Sequence, residues 1–348
     1  VLVLPVAACV SDEMAETLRG YVEDGGTLIV DGRAGLLSGQ GHIRDSRPLD
    51  DLLGVTSPAG MDAILAAAAS GEASISGAIG DAILDVEEAN LQVLEPGITV
   101  TSGTALGEVD GAPVYVVNEL GEGRAILLNA NVERYGDERN DESASPTQQM
   151  LVAAVRSAGV EPPASVTRAD GSRPLSVQTV QFGSGPVRYL AVQQDILVRG
   201  LGEQALQIAI DEPAIVYDIR AGERIGEGRV SEWQTTIDRG YPQVYALLPY
   251  EVEGVNADAP AAADAGSTVE IGAEVVASAT PATHVVRMDV YAPGSDEAHR
   301  EYSQNILCER GAGSASIPFA FNDATGAWRI ELTDVASGAG AEHSLNLR

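Results

Sequence analysis

Residues Gly25–Leu37 read "GGTLIVDGRAGLL", and the fold of the first part of the chain follows from that stretch. Thr27–Val30 is a short run rich in aliphatic and β-branched residues, the composition of a buried strand. Gly32 and Gly35 then frame a tight Gly-x-x-Gly turn. Upstream, Ser11 is placed to cap a helix, Asp12 and Glu13 suit the positive end of its dipole, and Met14, Leu18, Tyr21 and Val22 recur at helical spacing. Gly25–Gly26 ends that helix. Strand, helix and strand with short links make a βαβ unit, with parallel strands and helices on the sheet faces. A nucleophile elbow places a Ser or Cys on such a bend, beside a base and backbone N–H donors. Here the bend carries Arg33, a guanidinium that stays protonated and attacks nothing.

Further along, an alanine-rich helical segment is predicted near Met61–Ala69. A hairpin follows from Pro113–Asn118 and Arg124–Asn129 around "ELGEG". A last helix is punctuated by Ser145 as cap, Pro146 at its first position and Gln148 as the capping-box partner. Met150, Leu151, Ala154, Val155 and Ala158 form its apolar face, and Gly159 and Pro162–Pro163 stop it. Beyond 164 the helical period gives way to short alternating runs such as "VRYLAVQQ" and "QVYALLPY", the pattern of a small antiparallel sandwich. The low-complexity segment "NADAPAAADAGS" (256–267) reads as a link. After it come about six strands in roughly 80 residues, the density of an immunoglobulin-like sandwich.

The 348 residues include 51 acidic and 21 basic ones, a formal charge of −30, and every basic residue is Arg. Such a field repels phosphate backbones and anionic lipid, so nucleic acid is disfavoured as a partner. It suits a solvated surface in high salt, where like charges are screened beyond roughly 8 Å or less. No apolar run is long enough to span a membrane, and the compartment is not legible. The opening run "VLVLPVAACV" is already strand-like, which reads as a fragment truncated at its N-terminus, with something upstream.

Other chemistry is sparse. His42 is the one imidazole of the first 160 residues and pairs on paper with Cys9, since both follow strand ends at one sheet edge. His284, His299 and His343 sit in no His-x-x-x-His or Cys-x-x-Cys frame, so no metal is expected. No cofactor is expected either, because "GERIGEG" (222–228) precedes no helix that would aim its N-terminus at a phosphate. The carboxylate pairs Asp50–Asp51 and Glu87–Glu88 and the acidic run 136–143 read as solvated faces. With 4% aromatic residues, sugar stacking has few platforms; Trp328 alternates with core positions, leaving Trp233 as the candidate.

Leu4–Pro5, Tyr21–Val22, Gly25–Leu28 and Arg33–Leu36 match a pattern that makes residues 1–160 resemble the middle domain of family 42 β-galactosidases. "GEGRAILLNA" and the helix ending at Gly159 are similar to the end of that domain. The resemblance implies an α/β flavodoxin-like fold, an inactive relative of the class I glutamine amidotransferases that serves in trimerisation. It also implies that Arg33 stands where active relatives carry their Cys, and that the catalytic glutamates belong to a preceding barrel absent from this sequence. The family follows the turn with acidic residues near a neighbouring subunit's active site, whereas "SGQGH" (38–42) follows here.

The expected organisation is therefore an amidotransferase-like α/β domain over 1–161, a β-sandwich over 164–255 and an immunoglobulin-like sandwich over 267–348. The leading expectation is a non-catalytic oligomerisation and accessory region, with Gly32, Arg33, Ala34, Gly35 and His42 as a degenerate elbow or interface. Its partners would be further copies or an upstream catalytic barrel. The alternatives are a carbohydrate-binding module using Trp233 and an amidotransferase- or peptidase-like enzyme using Cys9 and His42.

Overall fold

The computed structural model describes residues 1–130, 132, 135–141, 145–184, 186–196 and 201–348. The chain divides into two compact units, Val1–Pro162 and Pro163–Arg348.

The first unit is layered around a five-stranded sheet. Strand β1 (Leu2–Leu4) leads into helix α1 (Asp12–Glu23), where Ser11 Oγ accepts the Met14 N–H at 3.1 Å as the cap. Strand β2 (Thr27–Asp31) lies parallel to β1 on one side and to Gly123–Leu128 on the other. Tyr115–Leu120 then pairs antiparallel with Gly123–Leu128 as a hairpin. Every residue of β2 is buried because both faces of the sheet are covered. Leu28 and Val30 pack with Ala15, Leu18 and Val22 of α1, while Ile29 packs with Met150 and Ala154 of the helix Ser145–Arg156. Alternate residues of a strand face opposite ways, so one short apolar run serves two cores.

The segment near Met61–Ala69 departs from its predicted helix. Helix is confined to Gly60–Leu65, and Ala69–Ile79 and Ala82–Val93 form a long antiparallel hairpin. Ala73, Ile75, Ile79, Leu84, Val86, Leu91 and Val93 are buried in it. That period of two overrides the helical propensity of alanine. Of the acidic run 136–143, residues 142–143 lie outside the described residues.

The second unit opens with a six-stranded antiparallel sheet, whose two longest strands, Gln204–Asp218 and Glu223–Ile237, shift register between Ala209 and Val216. A three-stranded and a five-stranded sheet follow. The segment read as a link is largely ordered: Val252–Asp258 pairs with Thr268–Ala277, and Ala262–Ala263 with the C-terminal strand Gly340–Leu347. One hydrophobic core runs across it, from Ile215, Tyr217, Ala246 and Leu248 to Val286, Met288, Trp328 and Leu345.

Candidate functional site

The bend after β2 is assembled from the carboxyl ends of three parallel strands, the end where open α/β sheets place their ligand crevices. The loop after β1 is zipped to it: Gly35 N–H donates to the Ala7 carbonyl at 2.9 Å, Leu37 N–H to Ala8 at 2.8 Å, and Val10 N–H to Leu37 at 3.1 Å. Asp31, buried at the end of β2, accepts the Val6 N–H at 2.7 Å. From the third strand, Asn129 accepts the Glu95 N–H at 3.0 Å and donates back to the Glu95 carbonyl at 3.0 Å. That clasp places the Glu95 carboxylate against the bend.

Arg33 sits at φ +67°, the left-handed region that costs a side chain roughly 1–2 kcal/mol. Its N–H donates to Glu95 Oε2 at 2.9 Å, and its guanidinium Nη2 to the Ala66 carbonyl at 3.1 Å. Glu95 also takes both terminal nitrogens of Arg47, one of them at 2.7 Å. The side chains of Arg47 and Glu95 are 2% and 1% exposed. Gly32 comes within 3.4 Å of the Ala130 carbonyl, and a side chain there would press on Leu94. The remaining cleft, of about 250 Å³ between Val6, Ala8, Asp31, Gly32, Arg33 and Leu94, is smaller than the ~300–1,000 Å³ of small-molecule sites. A larger one of about 550 Å³ lies at the amino ends of the strands around Gly25–Thr27 and Arg124, whose Nη1 is already spent on the Ser157 carbonyl at 2.9 Å.

An oxyanion site needs backbone donors aimed at open space. The N–H groups of Gly32, Arg33, Gly35, Leu36 and Leu37 all donate within the protein. Those N–H groups of the bend are consumed, and the turn between Gly32 and Gly35 carries a cation. Glu95 and Arg47 were not singled out by sequence; in a chain with 51 acidic residues, one carboxylate destined for burial carries no distinguishing mark.

His42 is exposed, and its backbone closes a turn with Ser38. Among the described residues no hydrogen bond joins it to Cys9, an exposed free thiol bridged through its backbone to Leu37. Trp233, the candidate sugar platform, is 5% exposed and packs edge-on to Tyr245 at 5.1 Å. It pairs with Ile208 across the ladder and offers no face to a pyranose. Among the described residues no cluster of three or more His, Cys, Asp or Glu is placed for a metal ion.

The second unit holds its own buried polar chain. Tyr250 Oη lies 2.8 Å from His284 Nε2, and His284 Nδ1 lies 2.7 Å from Asp334 Oδ1. Asp334 Oδ2 accepts the Ser337 hydroxyl at 2.6 Å and N–H at 3.0 Å, and Tyr250 Oη accepts the Ala282 N–H at 2.8 Å. Burial pushes the Tyr250 phenol above its usual range, the nearby Asp334 charge adding to it and the Ala282 N–H opposing. Sequence reading missed this cluster too, since its members are spread between 250 and 337.

Residues 1–139 match the family model described as the β-galactosidase trimerisation domain. The matched segment contains the bend described above. A catalytic mutant of Gan42B, a GH42 β-galactosidase from G. stearothermophilus, is similar over 71% of this chain and 31% of its own, at 16% identity and a TM-score of 0.45. The unmutated Gan42B gives the same score and identity over 70% of this chain and 31% of its own. The present chain thus spans under a third of that enzyme's length. An α-2-macroglobulin of E. coli is similar at 9% identity and a TM-score of 0.22, over 81% of this chain and 22% of its own. No curated protein matches. No helix among the described residues is long and apolar enough to cross a membrane.

Proposed function

We propose that this chain is the non-catalytic C-terminal region of a β-galactosidase-like glycoside hydrolase, acting as an oligomerisation and accessory scaffold. In this reading residues 1–161 are a reduced amidotransferase-like, flavodoxin-like domain, 164–255 a β-sandwich and 267–348 an immunoglobulin-like sandwich. Self-association, or the seating of an upstream catalytic barrel, falls to the loops at the carboxyl ends of the parallel strands. The observation that carries the proposal is the Arg33 bend: the N–H groups of Gly32, Arg33, Gly35, Leu36 and Leu37 are bound internally, that of Arg33 to Glu95, and the Arg33 Nη2 is bound to Ala66, as befits a scaffold. The −30 surface fits work in high salt, where screening relieves self-repulsion.

The test is sedimentation equilibrium in concentrated potassium chloride, run beside a nitrophenyl β-galactoside assay. Mass corresponding to an oligomer built through the first domain, without turnover, supports the reading. A monomer at every concentration, or turnover abolished by Cys9→Ser or His42→Ala, overturns it.

A further inference from the structure

The six-stranded sheet of the second unit ends on an edge that lacks the usual protections. Val177–Ser184 pairs with Val187–Gln194 in an antiparallel register without a shift, and among the described residues no strand lies on its other side. In such a ladder alternate residues turn their N–H and C=O groups outward. Exposed edges are ordinarily blunted by charge, by proline, by a bulge or by shortness. The edge strand on the opposite side of the same sheet, Glu223–Ile237, carries Glu223, Arg224, Glu227, Arg229 and Glu232 and has a shifted register. An edge strand of the three-stranded sheet, Val252–Asp258, carries Glu253 and Asp258. Val177–Ser184 has eight residues, no proline and no bulge. It lies within 174–187, the longest stretch of the chain without Asp, Glu or Arg. It also exposes Val180 at 51% and Phe182 at 52%, the latter ring stacked on Tyr189 at 5.4 Å.

We infer that this strand pairs with the same strand of a second copy, antiparallel across a two-fold axis, joining two sheets into one. Charge selects the occupant. Copies of a chain with a formal −30 repel one another wherever acidic faces meet, and an uncharged strand is where they approach without that cost. The strand is equal in length to itself, and a two-fold operator makes the contact self-complementary. It also brings Val180 and Phe182 of one copy into cross-strand range of those of the other, covering apolar surface now exposed. This contact lies outside the residues of the trimerisation domain, 1–139, so the two modes of association are separable.

The test uses the full chain with Cys9→Ser, which removes the exposed thiol. A single cysteine is introduced in turn at Gln178, Thr179, Val180 and Gln181, with Phe321→Cys as an exposed control. Near the axis, like residues come within the roughly 4.4–6.8 Å Cα separation that a disulfide spans. Mild oxidation is expected to give covalent dimer at one or two adjacent positions, about tenfold above the control, because pairing raises the local thiol concentration. Val180→Glu is expected to halve the sedimenting mass in high salt while the first-domain oligomer persists. Cross-linking no better than at Phe321→Cys, or equal at all four positions, overturns the edge pairing, as does a mass unchanged by Val180→Glu with the near-ultraviolet spectrum intact. Should Val180→Glu fail to fold, the cross-linking series decides alone. An edge dimer with no higher oligomer would sink the trimerisation reading and leave this one standing.

Discussion

The Gly32–Gly35 bend and the Tyr250–His284–Asp334 chain each carry what the other lacks for hydrolysis. The bend has a tight turn with Arg33 at left-handed φ, and its guanidinium supplies no nucleophile. The second cluster has hydroxyl, imidazole and carboxylate linked at 2.8 and 2.7 Å, the spacing of a catalytic relay. Yet Tyr250, His284 and Asp334 are 4%, 2% and 0% exposed, so no substrate reaches them. Catalysis needs the reagent and the access together. With only one of the two, each cluster serves folding: the first pins three segments to a sheet end, and the second ties Tyr250 to two strands of the sandwich that follows it.

The contrast also predicts different energetic roles. The first cluster centres on a fully formed ion pair, the second on a string of single hydrogen bonds. Glu95→Ala leaves Arg47 buried without its counter-charge, and is expected to cost about 3–5 kcal/mol in urea unfolding at fixed salt. Tyr250→Phe strands the Ala282 N–H and His284 Nε2, at about 1–3 kcal/mol. If Tyr250→Phe proved the costlier of the two, the contrast would be wrong.

Smaller effects sharpen the comparison at the bend. Arg33→Gly relieves the left-handed strain but loses the bond to Ala66 and adds unfolded-chain entropy, so stability should change by less than about 1 kcal/mol. Arg33→Ala keeps the strain and loses the bond, so it should be the less stable of the pair by thermal melting. The smallest effect concerns Asp50, whose carboxyl burial holds above its usual range, opposed in part by the Ser57 hydrogen bond and by Arg47. The native state then binds its proton at higher pH than the unfolded chain does. Asp50 therefore subtracts stability as pH rises from its unfolded value through its folded one. Asp50→Asn should flatten that slope and raise stability at neutral pH, as urea titrations from about pH 4 to pH 7 would show.

What the sequence reveals divides along physical lines. Helix α1, strand β2 and the hairpin ending at Leu128 are legible because cap, period and turn residues all agree locally. The start of Ala69–Val93 reads as helix because alanine favours it, and its strand identity rests on burial against Tyr115, Val117 and Met150, far along the chain. Trp233 reads as a platform candidate because its strand is polar on one side, yet its ring faces the other. Arg33 was visible from its place in the turn. Glu95 and Arg47 were not, since what marks them is a contact across 48 residues.

One last consequence follows from the strand Val252–Asp258. The chain leaves Leu248, already part of the shared core, and within a few residues is itself a rail of the next sheet. There is no slack at this junction for one part to swing on the other. Pulling on the C-terminal strand would load the packed interior directly, as tension loads a mortised joint rather than a hinge. A graft or truncation made there would sever a core.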